Sequence, residues 1–218
     1  MGSPAASVAP RPRWRGRLHQ IAFIVSIPQG LALVVAAADW MSRISAAIYA
    51  LTLSGLYGVS ASYHRLKWTP SALVRIRTLD HAMIFLLIAG TYTPFSLLVL
   101  EGVWATVLLG AVWVGALFGI GVKLVGVDRM RRLGATLYIV LGWLAVLAAP
   151  KFVGRLSIPV LVLIVCGGVL YTLGAVVLLR RKPDPNPLVF GYHEIWHVMV
   201  VAASLCHYVA ILLLVLRR

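Results

Sequence analysis

Residues 156–179 read LSIPVLVLIVCGGVLYTLGAVVLL, an apolar run without a single charged side chain. A helix crosses the hydrocarbon core of a bilayer in about 20 residues, so this run is long enough to span a membrane. Arg155 precedes it and Arg180 follows it, so the charge-free stretch has a sharp limit at each end. The run therefore predicts a transmembrane helix, and the same criterion can be applied outward along the chain.

The composition of the whole chain also favours a membrane protein. Of its 218 residues, 61% are hydrophobic and 12% are charged, whereas a soluble domain is about half apolar and about a quarter charged. The formal net charge of +14 would suggest nucleic-acid binding in a soluble protein. Here the basic residues lie in short runs between apolar segments and do not interleave with aromatic residues, so we expect no nucleic-acid partner. We expect membrane lipids as partners, including a lipid substrate.

The sequence predicts an all-α integral membrane protein with seven transmembrane helices, at residues 20–38, 44–63, 79–100, 102–122, 133–150, 156–179 and 193–216. The first run imitates a secretory signal, but it is longer than a typical signal core and is interrupted by Ser26, Pro28 and Gln29. We therefore expect it to be retained. A basic arm at residues 1–19 and short connections remain, so residues 20–218 are expected to form a single transmembrane domain.

The basic residues predict the orientation of these helices. Fifteen of the twenty lie in the arm and in alternate connections on one side, and five lie on the other side. Because basic loops stay on the cytoplasmic side, the N-terminus is expected in the cytoplasm and the C-terminus outside. The Arg-rich composition is typical of a bacterial protein, and we expect a multi-pass protein of the bacterial plasma membrane.

A few ionisable side chains occur in or next to the apolar runs, at one predicted depth. His64 ends the second run, Asp80 begins the third, and His193 and His197 lie in the first turns of the seventh, all near the cytoplasmic side. Such groups are costly in a membrane, so each is a candidate for a functional role. Ser60 lies one turn deeper than His64 on the same helix face.

His193 and His197 are four residues apart, so their side chains point in nearly the same direction on a helix and can share a metal ion. With His64 they form a three-histidine set typical of Zn²⁺, which leaves a fourth position where bound water has a pKa near ~7. Asp80 could accept the proton of that water, and Ser60 could stabilise a developing oxyanion. We therefore predict His64, His193 and His197 as metal ligands, and Asp80 and Ser60 as catalytic residues.

Other polar residues at this level have alternative interpretations. Residues 193–197 match the metalloprotease pattern H-E-x-x-H, in which Glu194 would be a base, but Glu194 could instead face the Arg-rich cytoplasmic rim. No acidic residue follows His197, so the third ligand has to come from earlier in the chain. His81 is expected to have a structural or supporting role and His207 to pack between helices. His19 is expected in the headgroup region, outside the metal site.

These motifs resemble the hemolysin III group, the bacterial relatives of the progestin and adipoQ receptors, in a superfamily that includes alkaline ceramidases. The resemblance covers the whole chain and consists of Ser60-x3-His64, Asp80-His81 leading to residues 90–95 (GTYTPF), and His193-x3-His197. It implies a seven-helix fold with a cytoplasmic N-terminus, zinc on the three histidines, and Asp80 close to the zinc-bound water. The Glu and Asn that usually precede the first-span histidine are absent from residues 15–18 of this chain.

Three functions are compatible with these features. The first is a zinc-dependent membrane hydrolase that cleaves a lipid-like amide or ester, as ceramidases do, by attack of zinc-bound hydroxide. The second is a receptor or membrane-modulating protein in which zinc only links helices. The third is a cytolysin, suggested by the family's name, but a water-filled pore needs polar residues along its whole length. The outer halves of the predicted spans contain no ionisable residue except His207, near mid-span.

Overall fold

A computed structural model describes residues 12–126 and 131–217 of the chain. These residues form helices and connections without a β-strand. The eight α-helices of the described residues are α1 (Arg17–Ala36), α2 (Trp40–Arg65), α3 (Pro70–Leu98), α4 (Gly102–Val125), α5 (Arg131–Gly142), α6 (Ala149–Val153), α7 (Ile158–Arg180) and α8 (Tyr192–Val215). A 3₁₀ helix, Leu144–Ala148, lies between α5 and α6. Most of the predicted basic arm, residues 1–11, lies outside the described residues.

Six segments are long and apolar enough to cross a membrane, and they correspond to six of the seven predicted spans: α1, α2, α4, α7, α8 and residues 132–153. The remaining predicted span, 79–100, falls in α3. Thirteen of the 29 residues of α3 are buried, against six of 24 in α4, so α3 is enclosed by its neighbours. The all-helical membrane architecture is confirmed, whereas the number of crossings and the orientation of the termini stay predictions.

The predicted start of the third span is nine residues too late as a helix boundary, because α3 begins at Pro70. Proline fits the first turn of a helix, where its missing N–H would have no intrahelical partner, and the Thr69 side chain accepts a hydrogen bond from Ala72 N at 3.4 Å. These start signals act before the apolar stretch begins. Apolar length therefore predicts the buried part of α3 but not the residue at which the helix begins.

The predicted fifth span, 133–150, is broken in the structure at Trp143. The Tyr92 hydroxyl from α3 enters the break, where it donates to Gly142 O and accepts from Ala145 N, both at 2.8 Å. A polar side chain from a neighbouring helix can satisfy backbone groups that an interrupted helix leaves without partners. The interruption is thus stabilised by a contact between two helices, which the local sequence does not reveal.

The helices are arranged as a ring. Along the ring α1 packs against α2, α2 against α3, α3 against α4, α4 against α5, α5 against α7, and α7 against α8, which returns to α1. Helix α8 also contacts α2 and α3. Close approach is possible where a side chain is missing, as at Gly119 of α4, where a Cβ atom would lie 2.3 Å from the Phe85 ring of α3. This arrangement brings the end of α2 next to the start of α8.

Candidate metal site

The three predicted ligands meet where α2 ends and α8 begins. One ring nitrogen from each of His64, His193 and His197 lies within 4.8 Å of the other two. The Nε2 atoms of His64 and His193 are 3.2 Å apart. The three imidazole rings have centroids 4.7 to 5.2 Å apart. His64 of α2 is 129 residues before His193, the first of the two histidines of α8.

This geometry fits a single metal ion. Two nitrogens that each lie 2.0–2.1 Å from zinc are at most about 4.2 Å apart. The His64–His193 pair is already inside that limit, and the other pairs lie within 4.8 Å. His197 is 3% exposed, so the site has one fully buried ligand and two half-buried ones. Three neutral nitrogen donors at this spacing are a set that Zn²⁺ prefers.

The Asp80 side chain of α3 is hydrogen-bonded to Ser60 of α2, which lies one helical turn from His64. The Asp80 side chain is 15% exposed, and its Oδ2 is 3.6 Å from His81 Nδ1. His81 Nδ1 donates to Arg77 O at 2.8 Å, which fixes the orientation of that ring on α3. Asp80 does not belong to the set of mutually close ligand atoms. Its carboxylate is thus connected to the site through Ser60, one turn from His64, and lies outside the three-histidine set.

His19 is buried beside His197. It is 3% exposed, and its ring is stacked on that of His197 with centroids 3.7 Å apart and planes 9° apart. Helix α1 packs against α8 and places this side chain inside the bundle, whereas its level relative to the lipid headgroups stays a prediction. Neither ring nitrogen has a hydrogen-bond partner among the described residues. His19 does not belong to the set of three mutually close ligand nitrogens, although its ring stacks on that of His197.

Glu194 faces away from the three histidines. Its Oε1 accepts from Arg15 Nε at 2.5 Å, and its Oε2 accepts from Gly191 N at 2.9 Å, at the start of α8. The residue is fully buried. Of the two alternatives, the structure therefore favours the one in which Glu194 faces a basic partner, because both carboxylate oxygens are already occupied. The match to H-E-x-x-H does not reproduce a metalloprotease base.

The segment before α1 covers this end of the bundle. Arg13 N donates to Leu188 O at 3.0 Å, and Trp14 N donates to Val189 O at 3.2 Å. Gly16 approaches α2 so closely that a Cβ atom would lie 2.6 Å from His64 Cβ. Together with the Arg15–Glu194 ion pair, these contacts hold the segment across the three histidines.

His207 lies away from this site, as expected. Its Nε2 donates to Ile164 O of α7 at 3.3 Å, and Gly167 leaves room for the ring, since a Cβ atom there would lie 2.4 Å from His207 Nε2. The expectation that His207 packs between helices is confirmed. Its contribution is to hold α7 and α8 together.

The fold and the site define a multi-pass helical membrane protein with a three-histidine grouping that could hold a metal. Comparisons with known proteins show the family to which the chain belongs. The haemolysin-III-related family model matches residues 8–208. Hemolysin-3 of Bacillus cereus is 33% identical over 201 residues, which cover 91% of this chain and 89% of the relative. The chain therefore belongs to the haemolysin-III family.

Two other relatives extend the comparison. The Hemolysin-3 homolog of Bacillus subtilis (strain 168) is 32% identical over 197 residues, covering 89% of each chain. The monocyte to macrophage differentiation factor of Homo sapiens is 27% identical over 180 residues, which cover 79% of this chain and 71% of the relative. The family thus joins bacterial and mammalian proteins, and the resemblance noted in the sequence is confirmed.

Proposed function

We propose that this protein is a zinc-dependent membrane hydrolase that cleaves a lipid-like amide or ester. Zn²⁺ would be held by His64, His193 and His197. The observation that carries the proposal is the convergence of their three nitrogens within 4.8 Å of one another. The Asp80 carboxylate is hydrogen-bonded to Ser60, one turn from His64. Three protein ligands leave a position for reactants, as in catalytic zinc sites, whereas structural sites usually have four.

When bound, Zn²⁺ would supply Lewis-acid activation of water and of the scissile carbonyl group. Asp80 would accept a proton from the attacking water and return it to the leaving nitrogen or oxygen, so that water adds across the cleaved bond and no proton is lost. Ser60 lies beside Asp80 and would hold the carboxylate or donate to the developing oxyanion. His81, whose Nδ1 is fixed by Arg77 O, would limit the positions open to that carboxylate.

The proposed substrate is a lipid that enters sideways from the bilayer. The segment containing Arg13 and Trp14 covers the site at the end of the bundle, which hinders entry along the helix axes. The outward helix faces are apolar, with Leu31, Leu51 and Ile158 between 66% and 76% exposed. We further propose that α3 also crosses the membrane, giving seven crossings, and that the three histidines lie near the cytoplasmic face.

Metal analysis of purified variants tests the site. The wild-type protein should contain about one zinc per chain, and His64→Ala and His197→Ala should each lose it. His207→Ala is the matched control, since this histidine lies in α8 outside the site and should not alter the zinc content. Full zinc retention in the His64 and His197 variants would refute the ligand assignment.

Turnover is tested on a panel of lipid amides and esters. Asp80→Asn should keep the zinc and lose hydrolysis, because the amide cannot accept the proton. Ser60→Ala should keep the zinc and reduce the rate less. Unchanged turnover by Asp80→Asn would refute the role of Asp80 as the base. It would not affect the assignment of the three metal ligands.

A second candidate is a non-enzymatic receptor or membrane-modulating protein in which the metal links α2 to α8. The closed end of the bundle favours this alternative, because the segment at residues 13–16 restricts access to the histidines. A chelator that lowers the unfolding temperature, in a protein that hydrolyses no member of the panel, would support it.

Cytolysis is the activity that the name of the Bacillus cereus relative indicates for that protein. In this chain a pore would have to pass the largely apolar outer halves of the spans. Ion conductance by the purified protein in lipid bilayers would favour this function over the hydrolase.

A further inference from the structure

A cleft of about 320 Å³ opens on the outer surface between α1 and α2, and none of the three histidines lines it. Its α1 wall contains Gln20 and Phe23, and its α2 wall contains Gly58 and Ser62. The volume is at the small end of the range for ligand sites. The missing side chain at Gly58 provides the depth, since a Cβ atom there would lie 2.9 Å from the Phe23 ring.

One end of the cleft is polar and carries a positive charge. Arg65 lies there, at the last residue of α2, with an exposed side chain whose stem packs against Gly16. Trp68 lies beside it, 37% exposed, and its indole Nε1 donates to Ser62 O at 3.0 Å. Tryptophan is enriched at the level of lipid headgroups, so this end of the cleft corresponds to the membrane surface and the Phe23 end to the hydrocarbon core.

No carboxylate of the described residues forms an ion pair with Arg65. The carboxylates of Glu194 and Glu101 pair with Arg15 and Arg155, and Asp80 Oδ2 lies 3.6 Å from His81 Nδ1. The exposed amide of Gln20 is on the facing wall. The cleft thus combines an apolar floor with a cation and a hydrogen-bonding amide at one end, and it opens to the bilayer.

We propose that this cleft binds an anionic phospholipid, with its phosphate on Arg65 and Gln20 and one acyl chain along Phe23 and Gly58. Arginine and phosphate form strong charge-assisted hydrogen bonds, and the apolar floor excludes water from the chain. The site goes beyond the proposed hydrolase and does not depend on it. A lipid bound there does not require zinc, because none of the three histidines is among the residues that line the cleft.

Native mass spectrometry of the full chain in detergent tests this site, with dioleoyl phosphatidylglycerol as the anionic probe and dioleoyl phosphatidylcholine as the zwitterionic probe. Wild-type protein should bind the anionic lipid more tightly. Arg65→Gln should weaken that binding about tenfold and leave the zwitterionic lipid nearly unchanged. Arg180→Gln is the matched control, because it removes an exposed arginine from the last residue of α7, outside the cleft.

Ser62→Leu tests the acyl-chain part of the cleft. The larger side chain should fill the groove and weaken both lipids by a similar factor. Equal binding of the two lipids by the wild type, equal effects of the two arginine substitutions, or unchanged binding by a folded Ser62→Leu protein would each overturn the proposal. Chelator-treated protein should bind the anionic lipid as well as untreated protein does, which separates this test from that of the hydrolase.

Discussion

Substitution of Arg15 by alanine is expected to destabilise the protein strongly. The Glu194 side chain is 1% exposed and that of Arg15 is 22% exposed, with 2.5 Å between Arg15 Nε and Glu194 Oε1. Without the guanidinium, the buried carboxylate retains only the hydrogen bond from Gly191 N. Breaking a buried ion pair by removing one partner costs about 3–5 kcal/mol, and the partial exposure of Arg15 favours the lower end. For a chain of this length, about 3 kcal/mol lowers the unfolding temperature by roughly 6–12 °C.

The assay is thermal unfolding in detergent, followed by intrinsic fluorescence. Glu194→Gln should cost about half as much as Arg15→Ala, because the amide oxygen still accepts from Gly191 N and the remaining cation can reach solvent. Adding Glu194→Gln to Arg15→Ala should recover part of the loss, since it removes the unpaired buried charge. A decrease below about 2 °C for Arg15→Ala would refute the reasoning. A Glu194→Gln variant with full stability and no turnover would instead restore the role of Glu194 as a base.

Three further substitutions test the packing. Gly119→Leu should lower the free energy of unfolding by about 1–3 kcal/mol, because the new side chain would overlap Phe85. Gly121→Leu is the control, since the space around Gly121 is open and the variant should not be destabilised. Equal unfolding temperatures of the two variants would contradict this. Tyr92→Phe should cost about 1–3 kcal/mol because two backbone groups at the break in the fifth span lose their partner, and an unchanged unfolding temperature would show that the break does not depend on the hydroxyl. His19→Phe should keep both the stacking and the zinc, since neither nitrogen of His19 has a partner among the described residues; zinc loss in elemental analysis would make His19 a ligand.

The positions of the spans followed from apolar length, because each helix that crosses the hydrocarbon core needs about 20 apolar residues of its own. Six predicted spans correspond to helical segments of the structure, and their ends differ by a few residues where caps or polar turns extend the helix. The exceptions are the early start of α3 and the break at Trp143. The first depends on a cap and on Pro70, and the second depends on Tyr92, which is 50 residues away from Gly142.

The candidate site was predictable to the extent that its residues share a depth. The four-residue spacing of His193 and His197 and the position of His64 at the end of its span predicted their convergence, which the structure bears out. The stacking of His19 on His197 was not predictable, because nothing within α1 indicates which neighbour it faces. The partner of Glu194 was left open for a similar reason, since Arg15 is 179 residues away.

By itself, the sequence determined that the chain lies in a membrane, where its apolar segments run, and that His64, His193 and His197 share one end of the spans with Asp80. These properties depend on single segments, because burial in lipid and helical periodicity act along the chain. The tertiary structure decided which side chains meet: the three histidines across α2 and α8, Arg15 on Glu194, and Tyr92 in the broken span. Such contacts depend on how the helices pack around one another, and packing is set by the shapes of many side chains at once.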